Sequence, residues 1–374
     1  MKKVLCVYQY VAKYREPIFN ELFNCDDLNF YLAAGNHSNT DIKLLDSGNS
    51  ILNSDDFILL KNRWFGSFLW QTGLMRTLIK GRYDSVIFLG DPHFISTWFC
   101  LLYCKFFNIQ ALLWTHGFVG RNNKVKDFVK TTMYKLADKI LLYGNNAKED
   151  LIKIGISSSK IEVIYNSLDY DNQKSYREIY DTNLHREFDI DFKNKDLKTI
   201  FFVGRLTKHK KLHQILQAMK LLQNKGCFVN CLFIGDGVEI KNLKDLVRTL
   251  ELTDYVNFYG SCHDERVLAA LICNSDVCVA PGEIGLTAMH SLAYGKPAIT
   301  HNNDKKQMPE YEAIREGVSG YLFVENDIHS LAIKIETSIK GDQSFYKKNC
   351  INIIESYYTP KKQLTKILRS LEIE

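Results

Sequence analysis

Two cations sit just past a short apolar run in Phe201-Phe202-Val203-Gly204-Arg205-Leu206-Thr207-Lys208-His209-Lys210-Lys211-Leu212. The run predicts a strand ending at Gly204, with Arg205 and Lys210 on the loop leading into a helix. Arg offers a planar fork of donors and Lys a point charge. Together they can neutralise a diphosphate and stabilise charge that grows on it as it leaves. A solvated basic loop is the plainer reading of the same residues.

A second stretch, Ala280-Pro281-Gly282-Glu283-Ile284-Gly285-Leu286-Thr287-Ala288-Met289-His290, runs from a strand through a glycine-containing turn into a helix starting near Leu286. Backbone N–H groups of Glu283, Ile284, Gly285, Leu286 and Thr287 at such a start favour an anionic or hydroxyl-rich ligand. His290 follows Leu286 by one turn on the same face. In the first half, Asp91 and His93 close one apolar run and His116 closes the next. Asp-Pro also favours an ordinary turn there. Lys13 and Arg15, on the loop before Glu16, are further cations that could meet an anionic group.

The elements that must position these residues alternate between strand and helix. Val4–Tyr8, Ser85–Leu89, Ala111–Trp114, Lys139–Tyr143 and Ile161–Tyr165 are continuous apolar runs with helical segments between them. After a polar stretch the alternation restarts at Thr199–Val203, Asn230–Ile234, Val256–Tyr259, Val277–Ala280, Ala298–Thr300 and Gly320–Val324. Such runs predict parallel sheets covered on both faces, whose ligands bind beyond the carboxyl ends of the strands. The fold class is α/β, two doubly wound Rossmann-like domains facing across a cleft. The expected boundaries are 1–170 for the first domain, 171–198 for a linker, 199–355 for the second domain, and 356–374 for a final helix packing back on the first domain.

Length and composition agree with this. At roughly 100–200 residues per domain, 374 residues predict two domains. Hydrophobic residues at 46% and charged residues at 24% exclude disorder over most of the chain. The net charge of +5 is too mild to point to nucleic acid, but Lys61 to Lys139 carries 12 Lys or Arg against 4 Asp, a local excess of +8. The 10 cysteines include no C-x-x-C pair and read as buried thiols of a reducing compartment. Neither a signal peptide nor a membrane span is expected. The stretch from Arg63 through Trp64, Phe65, Phe68 and Trp70 to Arg76, Lys80 and Arg82 reads as a basic, aromatic helix suited to a bilayer interface or to a sheet.

These motifs together resemble the GT-B-fold retaining glycosyltransferases of the family-4 type, over nearly the whole chain and most strongly from Thr199 to Asp327. Gly204, Arg205, Leu206 and Lys210 match that family's G-R-L-x-x-x-K-G segment, with Lys211 in place of its last Gly. Gly235 and Gly237 match its G-x-G loop, and Val256, Phe258 and Gly260 its V-x-F-x-G strand. Asp276, and Asn166 with Asp169, match further family positions. The family's two Glu separated by seven residues do not transfer: Gly282 stands at the first and His290 at the second, with Glu283 one residue late. The resemblance implies transfer of a sugar, hexosyl or N-acetylhexosaminyl, from a nucleotide-sugar. A UDP-sugar is favoured over a GDP-sugar, and the acceptor is a glycan or lipid-diphosphate-linked, in polysaccharide, capsule or lipopolysaccharide assembly. It further implies His116, Arg205 and Lys210 as catalytic, Gly204, Gly235, Gly260, Gly282–Thr287 and His290 as donor-binding, and Arg15, Asp91 and His93 on the acceptor side. No metal or other cofactor and no nucleic acid is expected, and the place is the cytoplasm or the inner face of its membrane. Two rivals stay open: a GT-B-fold epimerase or phosphorylase, and an inactive partner subunit.

Overall fold

The computed structural model describes residues 1–35, 43–118, 124–182, 190 and 192–373. It divides into two units, one formed by Met1–Asp169 with Thr359–Glu374 and the other by Tyr170–Tyr358. Among the described residues, no helix is long and apolar enough to cross a membrane and no cluster of side chains could hold a metal ion.

The first unit holds β1 (Lys2–Tyr10), α1 (Glu16–Phe23), β2 (Leu28–Gly35), β3 (Phe57–Phe65), β4 (Phe68–Thr72), α2 (Leu74–Gly81), β5 (Ser85–Leu89), α3 (Ile95–Phe106), β6 (Gln110–Thr115), α4 (Lys124–Leu136), β7 (Lys139–Leu142), α5 (Asn145–Lys153) and β8 (Ile161–Val163). The sheet order is β4-β3-β2-β1-β5-β6-β7-β8, parallel except for the β3–β4 hairpin. One face packs Leu78, Leu101 and Tyr134 from α2, α3 and α4. The opposite face packs Phe19 of α1 and Ile367 of the chain's last helix. That last helix, Pro360–Ser370, is tied down by Gln363, which donates to the Tyr165 carbonyl at 2.6 Å and accepts from Ser167 at 2.7 Å. The helix expected over residues 63–82 is instead this hairpin followed by the short α2. Gly66, with φ of +62°, occupies the first central position of the two-residue turn, where only Gly is unstrained.

The second unit holds α6 (Tyr170–Thr182), β9 (Thr199–Val203), α7 (His213–Asn224), β10 (Asn230–Ile234), α8 (Ile240–Thr249), β11 (Val256–Gly260), α9 (Glu265–Cys273), β12 (Val277–Ala280), α10 (Leu286–Ala293), β13 (Ala298–His301), β14 (Gly320–Phe323), α11 (Ile328–Lys340) and α12 (Gln343–Tyr357). Its sheet, β11-β10-β9-β12-β13-β14, is wholly parallel. Every residue of β9, β10, β12 and β13 is buried, as a sheet covered on both faces requires.

The expected linker begins as the helix α6, a correction with a physical cause. Its buried positions Tyr170, Gln173 and Arg177 recur at helical spacing but are polar, so the stripe carries no apolar signal. Arg177 donates to the Ala293 carbonyl at 2.5 Å, and the Tyr170 hydroxyl to Glu355 at 2.6 Å. Linker residues 183–189 and 191 lie outside the described residues.

At the carboxyl end of the second sheet, backbone runs against backbone. A Cβ on Gly235 would lie 1.9 Å from the Gly204 carbonyl oxygen, and the residue sits at φ of +147°. Gly235→Ala is expected to cost about 2 kcal/mol or more, seen as a lower Tm; an unchanged Tm would contradict this packing.

Candidate functional site

In the second unit the motif residues converge where β9, β10, β11 and β12 end. Gly204 donates its N–H to the Ile234 carbonyl at 2.9 Å, and Gly235 to the Gly260 carbonyl at 2.8 Å. Gly282 donates to the Lys210 carbonyl at 3.0 Å. Thr287 reaches back from α10, its hydroxyl donating to the Val203 carbonyl at 2.7 Å. The structure therefore brings Gly204, Gly235, Gly260, Gly282 and Thr287 into one nest of loops.

The two cations of this nest differ. Arg205 is exposed and has no ion-pair partner among the described residues. Lys210 is largely enclosed: its Nζ donates to the Glu283 carbonyl at 2.8 Å and lies 3.3 Å from Glu283 Oε1. Burial lowers the Lys210 pKa, against the attraction of Glu283; Arg205 lowers it further and Glu310 opposes. His209 approaches the same Glu283 oxygen at 3.3 Å. The helix start is narrower than the sequence suggests. Gly285 caps α10 at φ of +49° with no side-chain cap, yet the Ile284 N–H is taken by Gln307 Oε1 at 3.0 Å and the Thr287 N–H by the Ile284 carbonyl at 3.2 Å. Leu286 opens the helix between them, half-buried.

His290, one turn into α10, faces α6 and α9. Its Nδ1 lies 3.3 Å from Gln173 Nε2 and 4.0 Å from Glu265 Oε1. Glu265 also accepts from the Tyr294 hydroxyl at 2.6 Å. Burial lowers the His290 pKa, partly offset by Glu265. With Gln173 donating to Nδ1, the proton of the neutral ring sits on Nε2.

In the first unit, Asp91 and His93 follow β5 as a half-exposed pair, His93 Nδ1 lying 2.8 Å from Asp91 Oδ1. The His93 N–H also donates to that oxygen at 3.0 Å, so the pair forms a side-chain-supported turn. His116 follows β6 with its ring 4.4 Å from that of Tyr143. Arg15 does not face solvent. It is 3% exposed, donates to Asn166 Oδ1 at 2.8 Å and to the Tyr143 hydroxyl, and leaves Lys13 as the exposed cation of that loop.

Several members of these clusters carry no sequence signal of their own. Glu310, 2% exposed, lies close enough for its charge to act on Lys210. Gln307 ties that segment to the Gly282–Gly285 turn through Ile284, and donates to Thr300 Oγ1 at 2.7 Å. Gln173 of α6 and Glu265 of α9 flank His290, and Tyr294, at the end of the helix that carries His290, holds Glu265 through its hydroxyl. Only the tertiary arrangement brings Gln173 and Glu265 to His290, and Gln307 and Glu310 stand three residues apart with nothing in their types to mark them.

Glu283 occupies Lys210 with a carboxylate, so an incoming oxyanion must displace it. Glu283→Gln, which keeps the carbonyl contact, is expected to tighten pyrophosphate binding by up to about tenfold, measured by titration calorimetry. Weaker or unchanged binding would show that Glu283 does not compete.

Residues 185–355 match the family model described as "Glycosyl transferases group 1". An uncharacterised 41.2 kDa protein in the cps region of Klebsiella pneumoniae is 29% identical over 202 residues, covering 53% of this chain and 51% of that protein. The capsular polysaccharide biosynthesis glycosyltransferase CapM of Staphylococcus aureus is 25% identical over 225 residues, 59% of this chain and 55% of CapM. The chain thus spans about half the length of the curated relatives it matches. Anabaena HepE, solved in complex with UDP, superposes with a TM-score of 0.73 at 15% identity over 100% of both chains. The chain has the fold of the GT-B glycosyltransferases, and its residues 185–355 are similar to the group 1 glycosyl transferases.

Proposed function

We propose that the chain is a retaining glycosyltransferase. It moves a hexosyl or N-acetylhexosaminyl group from a UDP-sugar, ahead of a GDP-sugar, to a glycan or lipid-diphosphate-linked acceptor in bacterial polysaccharide or lipopolysaccharide assembly. The observation that carries this reading is the pairing of exposed Arg205 with enclosed Lys210 at the end of β9, beside the start of α10. As the bond between the sugar and the diphosphate breaks, negative charge grows on the diphosphate, and these two cations stabilise it without a metal. His116 meets the sugar, His290 offers its Nε2–H to a ribose hydroxyl, and Asp91 and His93 lie toward the acceptor. The relatives named for capsule synthesis and the UDP in HepE support the substrate class.

Work at the inner face of a membrane is supported by the outer surface of the first unit. Phe65, Phe68 and Trp70 of the hairpin, Ile79 of α2, and Phe99, Leu102 and Phe106 of α3 are exposed, Phe106 at 81%. Trp70 and Phe99 pack edge to face at 5.8 Å, which joins hairpin and helix. Arg63, Arg76, Lys80 and Arg82 interleave with the apolar side chains. This combination suits anionic headgroups above an acyl boundary.

Release of nucleoside diphosphate from UDP-, GDP-, ADP- and dTDP-sugars tests the transfer reading. One UDP-sugar should turn over slowly, unchanged by EDTA, and Arg205→Ala or Lys210→Ala should lose about a hundredfold. Normal turnover by both folded variants would overturn the phosphate assignment. Inversion of the donor sugar without acceptor would indicate an epimerase, phosphate-dependent cleavage a phosphorylase, and binding without turnover an inactive partner subunit. For the membrane, Phe99→Ser with Phe106→Ser should abolish co-sedimentation with phosphatidylglycerol vesicles, while wild type ignores phosphatidylcholine vesicles. Sedimentation equal in both proteins would refute that face.

A further inference from the structure

Arg15 is a charge enclosed in the first unit, and no carboxylate pairs with it among the described residues. Its partners are neutral: Asn166 Oδ1 at 2.8 Å and the Tyr143 hydroxyl. Its guanidinium lies 5.1 Å from the ring centre of Tyr14, 5.4 Å from that of Trp114 and 4.9 Å from that of Tyr143. The buried Nε has no hydrogen-bond partner. An arrangement that enclosed a cation for stability alone would pair it with an acid, since an uncompensated buried charge is costly.

The neighbour that experiences this charge is His116. Tyr143 links the two, its hydroxyl on Arg15 and its ring 4.4 Å from the imidazole at an interplanar angle of 37°. His116 Nδ1 is buried and has no hydrogen-bond partner either. We propose that Arg15 is a positioning residue which, through Tyr143, sets the His116 ring and holds it as a neutral hydrogen-bonding group for the donor sugar. This rests on the placement of His116 at the sugar in the transferase reading.

The groups around the ring favour that state from each side. Arg15 stands on the turn before α1, and Lys130 of α4 donates to the Gly117 carbonyl at 2.5 Å. Asp91 and Asp127 act on Lys130, and the Tyr134 hydroxyl is engaged by Thr115 at 3.0 Å. Burial first, then Arg15, then Lys130 push the His116 pKa down to about 4. With its Nδ1 buried, a neutral imidazole meets a hydroxyl-bearing ligand through Nε2, as donor or acceptor according to its tautomer. An imidazolium would instead repel the positive charge that a sugar gains as its leaving group departs.

The test follows the His116 ring in the full chain, labelled at its histidines and titrated by NMR, with the signal assigned by its absence in His116→Gln. Wild type should titrate near 4. Arg15→Gln removes the charge but keeps a hydrogen-bonding side chain, and should raise the midpoint toward the ordinary 6.5. Asn166→Asp should do the same by neutralising Arg15 in place, and serves if Arg15→Gln fails to fold. Arg15→Lys keeps the charge and should stay low. In turnover of a UDP-sugar, the acid limb should move upward in the same variants. Midpoints unchanged in both charge-neutralising variants would overturn the proposal. A ring that responds while the acid limb stays put would overturn its role at the sugar and leave transfer standing. A normal ring titration in a wild type that turns over no sugar nucleotide would count against the transferase reading instead.

Discussion

The second unit depends on the close approach of bare backbone where its parallel strands end. A Cβ on Gly235 would meet the Gly204 oxygen at 1.9 Å, one on Gly237 the Leu206 oxygen at 2.4 Å, and one on Gly282 the His209 oxygen at 2.2 Å. Glycine removes the obstacle, and each gap is closed by backbone hydrogen bonds that a buried polar chain must make in any case. The loops after β9, β10 and β12 are thereby fixed by main-chain geometry. Side chains on them are released from structural duty, so Arg205 can remain exposed while its Cα is held.

The first unit solves the opposite problem. Its strand-end residues are held by an enclosed charge, with Arg15 joining the start of α1 to Tyr143 at the end of β7 and to Asn166 beyond β8. Aromatic faces and two hydrogen bonds offset part of its desolvation. What remains is a positive potential beneath the strand ends, felt by His116 and joined by Lys130. One unit therefore leaves a cation exposed beyond its strand ends, and the other encloses one among aromatic rings.

The parallel strands were legible because a sheet covered on both faces leaves unbroken apolar runs. Ser85–Leu89, Thr199–Val203, Asn230–Ile234 and Val277–Ala280 end where those runs end. Elements that compromise with water were not legible. β3 lies between β2 and the edge strand β4 and turns from apolar Phe57–Leu60 to polar Lys61–Arg63, and α6 buries Gln173 and Arg177 on its packed face. The same distinction holds at the sites. Gly204, Arg205, Lys210 and Gly282–Thr287 are contiguous motifs and could be read. Glu310, Glu265 and Gln173 come from distant segments and acquire meaning only through the fold. The burial of Arg15 was hidden because a charged residue on a loop gives no sign that aromatic rings will enclose it.

The same backbone contact decides where acidic side chains can stand around Lys210. At Gly282 the space of a Cβ belongs to the His209 carbonyl oxygen and, at 2.7 Å, to Lys210 Cα. No carboxylate can be attached there unless the loop that carries Lys210 moves away. The acidic charge is supplied from elsewhere: Glu283, one residue on, binds Lys210, and Glu310 acts on it from the segment pinned by Gln307. At His290 the neighbouring acid is Glu265, from α9, with Gln173 fixing the ring. Carboxylates thus stand near both positions, carried on other parts of the chain. Lys210 is thus placed by the backbone contact at Gly282, with Glu283 and Glu310 acting on it from separate segments of the chain.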